Sequence, residues 1–405
     1  MNPAYRRLLV AAVLSACLWP VRAAGSAPSL DEVVAIALRA NPDAREADFR
    51  LEAALADQRA AGAIPNPTYS IAPANPYQFL WSAPLDVGPQ RWYRTRAAGI
   101  ATEAARGDRE DQFQQTVFSV RQAFYDVLLG DSLRTLALDE EAIVRQLMAA
   151  DSARVASGDL SPSDLARSTV ELAQIEAARA RATANLHRAR LALQVLMGVA
   201  RPDTGFTVSG ELRFAPITLP LDSLETLAMA RRADLAAAVH RADAARALQE
   251  LARSSLVPTP VLTLVHQPDL PFPNGSHVAL GLSLEVPVFD WNGAARQRAA
   301  AELEIARLEE ARIRAQVTTA VATAIDDYLT ARTLASRYAS GALDQARDAL
   351  ETVRYGYRRG SRSLLDLLDA LRAYGQVRSD YYNAVHDYWV SAYALSRAAS
   401  KELVP

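Results

Sequence analysis

Cysteine occurs once in the 405 residues, as Cys17, and lysine once, as Lys401. One cysteine excludes an intrachain disulfide and any cysteine-rich metal site. One lysine leaves almost no candidate for a phosphate-binding loop or a Schiff base. The formal net charge is only -2, so there is no electrostatic footprint for nucleic acid. Beyond the N-terminus no apolar run approaches the ~18–20 residues of a spanning helix, so a place in a membrane would require a closed β-barrel. The five histidines, His187, His240, His266, His277 and His386, are scattered without ligand spacing. Asp366 and Asp369 could in principle do acid–base work, but no nucleophile–base pair accompanies them. An enzyme is therefore disfavoured, and no cofactor or metal centre is expected.

What is present begins with a targeting segment. Arg6 and Arg7 precede an apolar run from Leu8 to Trp19, then Pro20 and the small residues Ala23, Ala24 and Gly25. This is the layout of a secretory signal, taken as residues 1–24. Leu14-Ser15-Ala16-Cys17 also fits the site at which bacterial lipoproteins are cut and acylated, which makes Cys17 a candidate lipidation site.

Alanine, arginine and leucine are abundant, which favours long helices. The pivot is Gly360-Ser361-Arg362-Ser363-Leu364-Leu365-Asp366, set between two long helical runs. Glycine enters the left-handed region without strain and ends one helix. Ser363 and Asp366 then start the next. The same bend occurs earlier, at an offset of 202 residues: Gly158 matches Gly360, Ser161 matches Ser363 and Asp164 matches Asp366. A second register, offset by 191, sets Asn41-Pro42-Asp43 against Arg232-Ala233-Asp234 and Pro67 against Pro258. The mature chain therefore reads as a duplication, residues 25–210 and 211–405.

In each copy a pair of short helices leads to a stretch of period 2. The strands are expected at Thr68–Ala72 and residues 77–85, then at Val261–His266 and residues 278–286, as hairpins within about 67–87 and 258–288. Val278, Leu280, Leu282, Leu284 and Val286 form one apolar face, expected to meet lipid. Four strands cannot close a barrel alone, so closure needs several copies; two would give eight strands and three would give twelve. Very long helices follow, over residues 90–157 and 163–197, then 293–355 and 363–399. The fold class is mainly α with a small β part.

These residues resemble the outer membrane factor family, the TolC-like exit ducts of Gram-negative bacteria. The resemblance is carried by residues 30–42, Asn66-Pro67, the stretch Leu284-Glu285-Val286-Pro287-Val288-Phe289-Asp290-Trp291-Asn292-Gly293, and above all residues 360–370. It implies a homotrimer whose four strands per chain build a 12-stranded barrel in outer membrane lipid, with a periplasmic α-barrel of helical hairpins. It implies docking of a periplasmic adaptor, itself bound to an inner membrane pump, at the hairpin tips: Gly158, Asp159, Leu160, Gly360 and Ser361. The Pro287–Asn292 stretch looks most like the branch serving heavy-metal resistance-nodulation-division pumps.

Two further roles come with the resemblance. Asp366 and Asp369, three apart and so on one helix face, match the family's acidic pore constriction, where like-charge repulsion between copies would raise some pKa values. Asp164, Tyr357 and Arg362 match a gate latch between the two tips. Competing expectations are the duct of a type I protein secretion system and a pore-less periplasmic coiled-coil scaffold.

Overall fold

A computed structural model describes residues 27–73, 78–158, 161–217, 219–266 and 278–404. The signal segment, Cys17, Tyr77, Asp159, Leu160 and His277 lie outside the described residues.

Helix α1, Leu30–Ala40, starts on a capping box: the Glu32 amide donates to the Ser29 hydroxyl (3.4 Å) and the Ser29 amide to the Glu32 carboxylate (3.0 Å). Asn41 ends α1 and caps α2, Pro42–Gly62, taking hydrogen bonds from the amides of Asp43 (2.8 Å) and Ala44 (3.1 Å). Strands β1, Thr68–Ala72, and β2, Gln78–Pro84, follow, then helix α3, Pro89–Ala156. At 68 residues α3 is about 100 Å long. The chain returns through α4, Pro162–Leu196.

The second copy repeats this order. It comprises α5 (Leu224–Arg231), α6 (Ala233–Ser254), β3 (Val261–His266), β4 (Val278–Ser283), α7 (Gly293–Arg337), α8 (Leu343–Arg358) and α9 (Leu364–Ala398). The two hairpins merge into one antiparallel sheet of order β1-β2-β3-β4, in which β2 of one copy pairs with β3 of the other. The joint between copies is held elsewhere by the linker near residue 215. Tyr388 and Tyr328 bond to its backbone at Ala215 (3.1 Å) and Ile217 (2.8 Å), and Trp389 to Arg213 (3.0 Å).

The sheet register aligns Tyr69, Trp81, Leu264 and Leu280 across four strands, and next to them Ile71, Phe79, His266 and Val278. Side chains opposite one another share a face. One face is therefore apolar except for His266, and the other mixes Thr68, Ser70, Ser82, Thr263, Gly281 and Ser283 with Leu80, Val261, Val265 and Ala279.

Two expectations are corrected. Residues 278–286 do not form one strand, since β4 stops at Ser283. Its partner β3 begins only after Pro258-Thr259-Pro260, and a proline pair suits a sheet margin. Among the described residues no strand therefore lies opposite Leu284, Val286 and Val288, which remain exposed. The second outgoing helix is also not continuous over residues 293–355. A wide π-helical turn at Tyr338–Ala342 separates α7 from α8, with Gly341 at φ 139°. That value suits glycine alone, and sequence periodicity carries no trace of it.

Two apolar cores run along the helices. The larger joins α1, α3, α4, α5, α6, α7 and α9 around Val120, Phe124, Val317 and Tyr388. The smaller lies near the bends and joins Val144, Ile175, Leu350 and Leu367. Among the described residues no helix is long and apolar enough to cross a membrane.

Candidate functional site

Both bends form as glycine C-caps. Gly158 has φ 83° and Gly360 φ 75°. At the second bend the Ser361 amide donates to Gly356 (2.9 Å) and the Gly360 amide to Tyr357 (3.0 Å), so the last carbonyls of α8 are satisfied before the chain turns. Ser161 and Ser363 open the return helices. Ser161 accepts from the Ser163 amide (3.3 Å), with Pro162 at the first helical position.

Ser363 and Asp366 form a complete capping box. The Asp366 amide donates to the Ser363 hydroxyl (3.2 Å), and the Ser363 amide to the Asp366 carboxylate (3.0 Å). Those hydrogen bonds from Ser363, backbone first, with the nearby Arg362 cation, hold the Asp366 carboxyl below its ordinary value. Capping sets this direction within one chain, and the upward shift expected from repulsion arises only between copies. Asp369 is exposed and pairs with Arg372 (3.4 Å), whose guanidinium also binds the buried Glu171 on α4.

The three latch residues are not joined to one another. Asp164 pairs with Arg167 on its own helix (3.7 Å). Arg362 lies along α8 at Gly356, where any side chain would crowd its stem. Tyr357 is buried and donates to Asp151 on α3, while Arg154 donates to the Tyr357 hydroxyl (3.2 Å). Asp151 is 0% exposed and also accepts from Ser168 on α4 (3.1 Å). Burial, then the bond to Asp151, push the phenol pKa up. One buried carboxylate thus ties α3, α4 and α8 together.

Asp151 was not singled out from sequence. The available signal was its place seven residues after the core Val144, a polar side chain in the helical seam. The arrangement can clamp two hairpins with polar contacts that are breakable without covalent change. Among the described residues no group of three His, Cys, Asp or Glu side chains is placed to hold a metal ion.

A family model described as outer membrane efflux protein matches residues 79–199 and 224–400, one block in each copy. The chain is 28% identical over 318 residues to the cobalt-zinc-cadmium resistance protein CzcC of Cupriavidus metallidurans, covering 78% of this chain and 74% of that protein. The CmeC outer membrane channel of Campylobacter jejuni superposes with a TM-score of 0.79 at 16% identity, over 95% of this chain and 90% of that one. The MtrE outer membrane channel of Neisseria gonorrhoeae, in an open state, gives 0.77 at 19% identity, over 93% and 90%.

Proposed function

We propose, from the premise that the chain belongs to the outer membrane efflux protein family, how its two repeats carry solutes outward. The protein is an outer membrane efflux channel with a large periplasmic helical part. Its family consists of ducts rather than enzymes, and we assign it no catalytic step.

Three copies close the barrel in our reading. The observation that carries this is the sheet itself: β1 and β4 leave two open edges of opposite direction, and one face is apolar except for His266. An open edge in lipid would leave backbone groups unsatisfied at several kcal/mol each, so the edges must pair between copies. Twelve strands give a water-filled lumen lined by the face that carries Thr68, Ser70, Ser82, Thr263 and Ser283. Residues 25–210 and 211–405 then each supply one strand pair and one hairpin of the wall. The bends around Gly158 and Gly360, with Ser361, Asp159 and Leu160, meet a periplasmic adaptor bound to an inner membrane pump. Asp366 and Asp369 form the acidic constriction at that mouth.

Likeness to CzcC supports divalent metal cations as the exported cargo. Native mass spectrometry of the detergent-extracted protein should give three copies, and a monomer or dimer alone would remove the barrel reading. A deletion strain should gain sensitivity to cobalt, zinc or cadmium. If metal tolerance is unchanged while another exported solute or protein is retained, the cargo assignment falls and the duct stands.

A further inference from the structure

Along the contact between α3 and α9, the charges do not balance. Asp139 and Glu140 come from α3, Glu171 from α4, and Arg372 and Arg378 from α9. Arg378 pairs with Asp139 (3.1 Å) and Arg372 with Glu171. Glu140 is left over and makes no hydrogen bond or ion pair with the described residues. It lies against Gly375, where any side chain would collide with its carboxylate. It also borders a cavity of about 480 Å³ whose apolar wall includes Leu136, Ala137, Ile175 and Leu371. With the exposed Asp369, which shares Arg372, four carboxylates meet two guanidinium groups; Glu140 alone of the four is left unpaired, and the missing positive charge there can be supplied by a proton.

The same pair of helices carries a second proton-dependent contact. His386 on α9 sits between Asp126 of α3 (2.8 Å) and its own neighbour Asp387 (3.0 Å), with its side chain 13% exposed. A neutral imidazole can donate to only one of those carboxylates, whereas a protonated one donates to both.

We propose that the α3–α9 seam is a proton-responsive joint, which holds the two hairpins together in mild acid and loosens them as the pH rises. Burial pushes the Glu140 carboxyl up to about 7; Arg378 opposes this, and Asp139 and Glu171 add to it. Between its ordinary value of 4.5 and about 7, the closed seam holds a proton that a separated seam would release. Closure therefore weakens with rising pH across that window and no further above it. Burial alone would lower the His386 pKa, but the bonds to Asp126 and Asp387 outweigh it and raise it. Its stabilisation is complete below the ordinary imidazole value and is lost as the pH passes the raised one. Both contacts change in the same direction. The consequence for gating rests on the duct reading; the joint itself does not.

The test is backbone hydrogen exchange of residues 370–390 in the detergent-purified assembly, at pH 5.5 and pH 8.0, corrected for the intrinsic rate. Wild type should exchange about thirtyfold more slowly at the lower pH, because the Glu140 proton is lost from the closed seam only as the pH rises from 5.5 through about 7. Glu140→Gln, a neutral isostere, should keep the acid-like protection at both values and show most of the step removed. His386→Asn should lose protection at pH 5.5 only. A step of wild-type size in Glu140→Gln would overturn the joint, as would failure of that variant to assemble, because a neutral side chain must fit a site that favours the protonated acid. Bilayer recordings run in parallel separate the two readings: an exchange step without ion conduction removes the duct and leaves the joint.

Discussion

The Tyr357 hydroxyl donates to the Asp151 carboxylate, which has no solvent exposure and lies on the helix entering the other bend. The bond spans 206 residues of sequence and ties the tip half of one hairpin to the outgoing helix of its counterpart. Removing the hydroxyl in Tyr357→Phe leaves Asp151 with the Ser168 bond alone. The expected cost is about 1–3 kcal/mol, the range for an under-satisfied buried acceptor. Asp151→Asn keeps an acceptor oxygen and should lose less. Thermal unfolding in detergent measures both, and conductance in planar bilayers should rise for Tyr357→Phe. Equal melting of Tyr357→Phe and wild type would show that this contact does not hold the tips.

Most of the fold was readable because helix and strand periods, glycine bends and duplication are all written in local pattern. Ser29-x-x-Glu32 and Ser363-x-x-Asp366 cap where their spacing says they should. The break at Gly341 was not readable, since a glycine within a helical run is tolerated as often as it kinks. The early end of β4 depends on what its neighbour does at Pro258 and Pro260. The partner of Tyr357 was missed for a similar reason. Choosing Asp151 over Asp164 depends on which helix face meets α8, and that is a property of packing between hairpins.

Asn41 offers a test of the duplication. Its side chain caps α2 and donates to the Leu196 carbonyl (2.9 Å), and the residue is 2% exposed. Arg232, its counterpart, makes no side-chain cap and instead grips Asp234 (2.7 Å). Asn41→Ala should cost about 1–2 kcal/mol for the cap alone. Arg232→Ala should cost less, read from the same melting curves. A larger loss at Arg232 would mean that the two copies are stabilised differently from this account.

Leu282 lies opposite Leu262 on the apolar face of the sheet and is 63% exposed in the single chain. If that face meets lipid near mid-membrane, Leu282→Arg should lower barrel stability by about 2–4 kcal/mol. Gly281, its neighbour on the other face, should accept Ser with little effect. Fractionation and heat-modified mobility on gels report the assembled form. Normal insertion of Leu282→Arg would reverse the assignment of faces.

The acidic mouth combines two carboxylates held in different ways. Asp366 is fixed by its capping bonds to Ser363, and they keep its pKa low, whereas Asp369 is open to solvent beside Arg372. In the proposed trimer six such groups face one opening and favour cations. Asp366→Asn retains an oxygen for the Ser363 amide, so the bend should survive while its charge is lost. Single-channel recording at neutral pH should show cation preference reduced in each single variant and abolished in the double one. A carboxyl with a depressed pKa keeps its charge until the pH falls through that low value. The Asp369→Asn channel should therefore keep its residual preference to below about pH 4, where an ordinary Asp is already half protonated. If the preference fades well above that, repulsion between copies outweighs the cap. If the double variant selects cations as wild type does, Asp366 serves only to start α9 and the constriction lies elsewhere.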